Sequence, residues 1–288
     1  MSIDRFADYL EAKRNADERA RDTTTFGIFL GILRTFSRPS VLDVGTGTGA
    51  MARRVYDSLA DNDAEITGID TTGESIAIAR LRAAENGFER LRFECRSVFD
   101  VDERRYIAIT ANSFVDEFPP RQLLRAFARH LAPGGIIYTS LTYNGRTEFW
   151  PRAADYDHEQ IMLTEYDRSM DERTFEGVPV AGSRGAGRFL AEAERCGFEI
   201  VQFGGSDWCI QPENGVYPEG AATVLNGMVD FIANEATRRS KCDPKRTEAW
   251  RSIRRKQIQA ATLRLLVHHL DAIVRITPEA RRLLSEPG

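Results

Sequence analysis

Between residues 40 and 205, short apolar runs alternate with longer segments whose apolar residues recur every three or four positions. That pattern is strand followed by helix, repeated. It predicts strands at 40–44, 65–70, 91–94, 106–111 and 135–142, with helices at 49–60, 73–86 and 121–131. Asn86-Gly87 and Pro133-Gly134-Gly135 supply the stops. A helix at 186–196 and a strand at 198–203 resume the alternation. The order argues for an α/β fold, a parallel sheet covered by helices.

Three segments lie outside this rhythm. Two helices are expected first, at 3–22 and 25–36, the second carrying Phe26, Phe29, Leu30, Leu33 and Phe36 on one face before Pro39 ends it. Residues 144–182 are rich in charge, aromatics and turn formers and read as a lid inserted between sheet elements. Two more helices, at about 220–240 and 244–261, precede an apolar run at 263–276 that fits either a helix or a final strand. The expected organisation is an N-terminal helical cover (1–39), a main domain (40–276) with the lid and a helical insertion at about 217–262, and a tail (277–288).

Composition adds limits. The chain has 288 residues, 42% of them hydrophobic, enough for a substantial core. The first ten residues lack the apolar centre of a signal peptide and no run of 18 apolar residues occurs, so a cytoplasmic protein without membrane association is expected. Four scattered cysteines, without a C-x-x-C pair, read as reduced thiols, and no metal is expected. Residues 238–288 carry thirteen Lys/Arg against five Asp/Glu, a net +8 that leaves −12 on the rest of the chain. This bias suits either a solvated helix face or an anionic partner such as RNA; the near absence of aromatics among the charges favours the former.

The chemistry concentrates at Val41-Leu42-Asp43-Val44-Gly45-Thr46-Gly47-Thr48-Gly49-Ala50. Alternating glycines after a strand let the backbone turn sharply and come close to a ligand. Gly45, Gly47 and Ala50 also fit a dinucleotide fingerprint. Asp43 would repel a pyrophosphate, however, and suits the α-amino group of S-adenosylmethionine (SAM) instead. These residues resemble motif I of the class I, Rossmann-like SAM-dependent methyltransferases; the resemblance extends over residues 40–205 and implies that family's α/β fold, a mostly parallel sheet of seven strands with helices on both faces. Asp70 stands where the family places an acid on the ribose hydroxyls. Leu131-Ala132-Pro133-Gly134-Gly135 resembles the turn into strand five, and Gly197-Phe198 the entry to strand six. Residues 146–151 and 204–208 resemble segments of a bacterial branch of that family, a likeness that indicates no substrate.

The resemblance implies SAM as cofactor, S-adenosylhomocysteine as product, and a cofactor site of Asp43, Gly45, Thr46, Gly47, Gly49, Asp70, Thr71, Ser97, Val98 and Asn112. Cys95–Asp100 replaces the family's usual Gly-Asp after strand three, so the adenine contact falls to Ser97, the Val98 backbone or Asp100. Asp116 and Glu117, after strand four, are candidate bases. So is His269, provided that 263–276 is a strand, which would put Asp271 on its face to orient it. Tyr143, Phe149, Trp150, Tyr166, Trp208 and Tyr217 are candidates for an aromatic acceptor pocket. The N-terminal helix, with Tyr9, Arg14, Asp17 and Arg21, is expected to cover the cofactor edge together with the lid. The expected function is methyl transfer to a small-molecule acceptor. Transfer to RNA through the basic region ranks second, and a non-catalytic SAM-binding regulator third; a homodimer is left open.

Overall fold

A computed structural model describes residues 3–100 and 104–285, and within the first helix the side chains of Tyr9 and of Ala12 onward. In chain order the elements are α1 (Ile3–Ala20), α2 (Thr23–Leu33), β1 (Ser40–Val44), α3 (Ala50–Ser58), β2 (Glu65–Asp70), α4 (Gly73–Glu85), β3 (Leu91–Cys95), β4 (Tyr106–Asn112), α5 (Pro120–His130) and β5 (Leu131–Trp150). They continue with α6 (Tyr156–Asp171), the two-residue strands β6 (Thr174–Phe175) and β7 (Val178–Pro179), α7 (Gly185–Arg195), β8 (Glu199–Gly205), β9 (Trp208–Ile210), α8 (Ala221–Thr237), α9 (Pro244–Gln259), β10 (Arg264–Arg275) and α10 (Pro278–Ser285).

Seven strands run in the order β3-β2-β1-β4-β5-β10-β8, and the short β9 adds to β10 beyond the end of β8. β1 to β5 pair in parallel, and β10 is antiparallel to both neighbours. The order reverses between β1 and β4, and ligands of open α/β sheets bind at the carboxyl ends of the strands beside such a switch. One face is covered by α2, α3 and α4, where Phe29, Leu33, Val55 and Ala79 are wholly buried. The other is covered by α5, α7 and α10 through Phe127, Phe189 and Ala280. Full burial of such an aliphatic or aromatic side chain stabilises the fold by about 1.5–3 kcal/mol.

Two expectations change here. Residues 144–150 do not leave the sheet: they prolong β5, and after a register shift Thr147 to Trp150 pair with residues 264–267 of β10. Thr147 and Phe149 point inward while Arg146 and Glu148 pair with each other on the outer side, so the charge that suggested a lid is the polar half of a strand alternation. The remainder of the expected lid is α6, the small hairpin and a 3-10 turn. The C-terminal segment is likewise more than a tail, since α10 buries Ala280 and Leu284 against α5; residues 286–288 lie outside the described residues, as do Met1 and Ser2 of the N-terminal cover. The run at 263–276 is a strand.

A third cluster sits above the carboxyl ends of the strands, where α1, α6, α8 and α9 close over the outer halves of β5 and β10. Tyr9 of α1 stacks edge-on against Phe231 and lies against Gly227 of α8, where any side chain would collide with its ring. Among the described residues, no helix is long and apolar enough to cross a membrane.

Candidate active site

β1 leads into a loop in which Gly45, Gly47 and Gly49 all have positive φ, +64°, +52° and +80°. The loop is fixed from β2. The Thr46 amide donates to the Ile69 carbonyl (2.9 Å), and the Gly47 amide donates to Asp70 Oδ2 (2.9 Å). Asp70 Oδ1 accepts from the Thr72 amide (2.9 Å), so one carboxylate orients both the loop and the start of α4. A Cβ at Gly45 would strike the Phe114 ring, whereas one at Gly47 would meet nothing within 4 Å. The loop therefore presents open space on the side of Gly47. Beside it runs a cleft lined by Gly45, Ile69, Asp70, Thr71, Ser97 and Val98, with Phe114 and Phe118 at its far side.

The structure thus brings Gly45, Asp70, Thr71, Ser97 and Val98 of the expected cofactor set to one cleft. Asp43 lies in β1, just before the loop. Its carboxylate is buried, accepts from the hydroxyls of Thr46 and Thr110 (both 2.6 Å), and is pushed up to about 6, first by burial. It braces β1 against its own loop and β4. Thr46 is occupied by that bond. Asn112 is held by the Ser140 hydroxyl (2.7 Å) at the end of β4. Asp100 accepts from the Ser97 amide (2.9 Å) and shapes the turn after β3.

Next to the cleft, where Ser113 adjoins Phe114, opens a cavity of about 190 Å³. Its walls join Asp116 and Glu117 after β4, Tyr143 of β5, Tyr166 of α6, Trp208 of β9 and His269 of β10. Three candidate bases and three candidate pocket aromatics, far apart in sequence, meet here. Their states differ. Asp116 Oδ1 has no hydrogen-bond partner among the described residues, and burial followed by the neighbouring Glu117 pushes its carboxyl up to about 6. Glu117 is exposed and paired with Arg173 (2.9 Å). His269 is buried, its Nδ1 also lacks a partner among the described residues, and burial, Lys13 and His268 lower it to about 3.

Asp271 does not orient His269. Its carboxylate accepts from Tyr138 and the Leu141 amide, and the histidine that an aspartate does hold is His268, through Asp207 (2.8 Å). Strand alternation does put Asp271 and His269 on one face, since Leu265, Val267, His269 and Asp271 are all buried, but Asp271 is taken up by donors on β5 rather than by the imidazole. Phe149 and Trp150 do not line the cavity: Phe149 packs on Trp250 in the cap, and Trp150 is 41% exposed. Tyr217 donates to the Leu263 carbonyl (2.8 Å) elsewhere. His158, also a base candidate by residue type, is buried against Thr247 (3.1 Å).

Sequence reasoning missed Lys13. It lies on the α1 face that also carries Tyr9 and Asp17, at four-residue spacing, and this periodicity could have found it. Its ammonium donates to Asp17 (2.6 Å) and to the Ser113 hydroxyl (3.2 Å), while Asp17 accepts from Trp208 Nε1 (3.0 Å). α1 therefore covers this cavity.

The basic C-terminal region is largely paired internally. Arg239 meets Glu172 and Glu235, Arg246 meets Asp155, Arg255 meets Asp230, and Arg254 is buried against Glu159. Arg254 also donates to the Pro151 carbonyl (2.7 Å).

Residues 36–172 match a family model described as a methyltransferase domain. The ubiquinone biosynthesis O-methyltransferase of Serratia proteamaculans is 33% identical over 114 residues, 38% of this chain and 45% of that protein. The protein of the same name from Idiomarina loihiensis is 31% identical over 114 residues, 38% of this chain and 44% of that protein. The chain thus spans less than half the length of these curated relatives. A solved structure from Bacillus halodurans, named as a methyltransferase, superposes with a TM-score of 0.51 at 15% identity, covering 86% of this chain and 98% of that one. That likeness is one of fold.

Proposed function

Since residues 36–172 match a methyltransferase-domain model, we propose that this chain is a class I SAM-dependent methyltransferase that transfers the methyl group of SAM to a hydroxyl of a small-molecule acceptor. The observation that carries the proposal is the cavity holding the carboxyl of Asp116, whose Oδ1 has no partner among the described residues, set directly beside the glycine-loop cleft.

The cleft suits the cofactor. Asp70 has spent one acceptor position of each oxygen on a backbone amide and keeps lone pairs for two ribose hydroxyls. Ile69 and Val98 offer apolar walls to the adenine, and the Gly47 side of the loop is open to close approach. When bound, SAM supplies an electrophilic methyl whose leaving group is a neutral thioether, so no acid is required.

The chain then has two tasks, alignment and proton removal. Tyr143, Tyr166 and Trp208 hold a flat acceptor, and positioning of this kind contributes about 7–11 kcal/mol in favourable cases. Asp116 takes the hydroxyl proton, with an ionisation near 6 that leaves it mostly charged at neutral pH yet basic enough to act. His269, neutral at every physiological pH, serves as a hydrogen-bonding wall rather than as the base. The curated relatives, named as O-methyltransferases, support an oxygen acceptor. The pairing of the C-terminal arginines favours a small molecule over RNA.

Calorimetric titration with S-adenosylhomocysteine tests the cofactor assignment. Binding should weaken about ten- to a hundredfold in Asp70→Ala, the loss of charge-assisted hydrogen bonds. Unchanged affinity would sink it.

A further inference from the structure

Asp271 is wholly buried, a costly place for a carboxylate unless it is fully used. It gathers donors from two separate parts of the chain. Oδ1 accepts from the Leu141 amide (2.8 Å); Oδ2 accepts from the Tyr138 hydroxyl (2.6 Å) and from the Asp22 amide (3.2 Å). Asp22 is the junction between α1 and α2, where its own side chain caps α2 through the Thr24 and Thr25 amides.

The β5 side of this arrangement is irregular. Leu270 faces Thr142 and Ala272 faces Thr139, so Ser140 and Leu141 together stand opposite the single residue Asp271. This is a β-bulge, and it removes the Leu141 amide from the ladder. Leu141 also has φ of +51°, a conformation that a branched residue adopts only when its surroundings hold it. The Asp271 carboxylate takes the displaced amide. Leu141 in turn lines the acceptor cavity, and its carbonyl accepts from the Ser113 hydroxyl (3.1 Å), which itself accepts from Lys13 of α1 (3.2 Å).

A closed circuit results. From Asp271 one branch runs through Leu141 and Ser113 to Lys13, and the other runs through the Asp22 amide to the foot of the same helix. We infer that Asp271 is a positioning residue that couples the docking of the α1 cover to the shape of the acceptor cavity floor. This rests on the reading that the cavity receives the acceptor. Cofactor binding does not enter the circuit, since the glycine loop and Asp70 make none of these bonds.

Asp271→Asn tests it. An amide side chain can still accept from Leu141 and donate to Tyr138, but its NH₂ then faces the Asp22 N–H, donor against donor. In the variant saturated with S-adenosylhomocysteine, amide exchange in α1 and at Leu141 should rise about tenfold or more, with S-adenosylhomocysteine affinity within about twofold of wild type. With any acceptor found by screening, KM for the acceptor should rise while KM for SAM holds. Tyr138→Phe, which deletes one donor and leaves both amides, should shift exchange in the same direction by less and serves if Asp271→Asn does not fold. Unchanged α1 exchange in a folded variant, or cofactor affinity falling in step with it, would overturn the coupling. The exchange readout needs no acceptor. A failure to find turnover would therefore count against the methyl-transfer reading alone.

Discussion

Asp116 and His269 face one cavity, and burial moves them apart: the carboxyl rises to about 6 and the imidazole falls to about 3. Burial penalises whichever form is charged, so the same cause acts in opposite directions on an acid and a base. The carboxylate is left as the group that titrates near the working pH. The rate with a hydroxyl acceptor should therefore rise through an apparent pKa of about 6 and then level. Asp116→Asn should lower kcat by a factor of about 10²–10⁴, the usual worth of a general base. A pH–rate profile retaining its limb near 6 in that variant would assign the proton to another group.

The same shift makes a statement about stability. A carboxyl whose folded pKa lies above its unfolded value of about 3.9 stabilises the fold while protonated, and that contribution is lost as pH rises from about 4 through 6. For a shift of about two units the loss is about 2–3 kcal/mol. Asp116→Asn should therefore raise Tm at pH 7–8 and leave it nearly unchanged at pH 4, as thermal unfolding at the two values would show. Asp43, raised by burial to a similar value, should behave differently. It accepts from two hydroxyls whose geometry an amide would disturb, so Asp43→Asn should gain little or lose stability.

Arg254 and Glu159 form an ion pair with both partners almost inaccessible, and Arg254 also stacks over Phe149 and holds the Pro151 carbonyl. Removing one partner strands a buried charge, at a cost of about 3–5 kcal/mol. Denaturant unfolding of Arg254→Met should show that loss, while Arg255→Met, on the exposed side of α9, should stay within about 0.5 kcal/mol of wild type. Equal effects would mean that the α6–α9 contact does not hold the cap.

The glycine loop separates two kinds of substitution. Gly45→Ala drives a Cβ into Phe114 and should lower Tm. Gly47→Ala meets open space and should cost only the strain of its positive φ, about 1–3 kcal/mol, while placing a methyl where the cofactor approaches. Calorimetry with S-adenosylhomocysteine on the folded Gly47→Ala protein should show weakened binding. Full affinity there would remove Gly47 from the site.

Much of the central sheet could be read from the sequence because β1 and β2 are short segments built around Val, Leu and Ile and followed by Gly or Thr-Gly turns, a local signal. The extension of β5 could not. Its pairing with β10 joins residues more than a hundred positions apart, and Arg146 and Glu148, read alone, look like a loop. Asp116, Tyr143, Tyr166 and Trp208 were legible as candidates by residue type, but their convergence depends on how α6 and β9 fold back over the strands. Strand periodicity put Asp271 on the face of His269, as it is, but could not show that the bulge on β5 brings a displaced amide and a tyrosine hydroxyl that use up its carboxylate. Lys13 was missed because α1 has few large apolar residues to mark its buried face.

The most direct measurement follows the methyl group itself. Wild-type protein is given SAM labelled in its methyl, together with a panel of small hydroxylated aromatic compounds, and the label is traced into product. The account expects labelled methyl ether and an equal amount of S-adenosylhomocysteine, with turnover reduced about ten- to a hundredfold in Asp70→Ala at subsaturating SAM and by a factor of about 10²–10⁴ in Asp116→Asn. Tight binding of S-adenosylhomocysteine by the wild-type protein with no labelled product from any acceptor would contradict it, and would mark the chain as a cofactor-binding protein that does not transfer methyl.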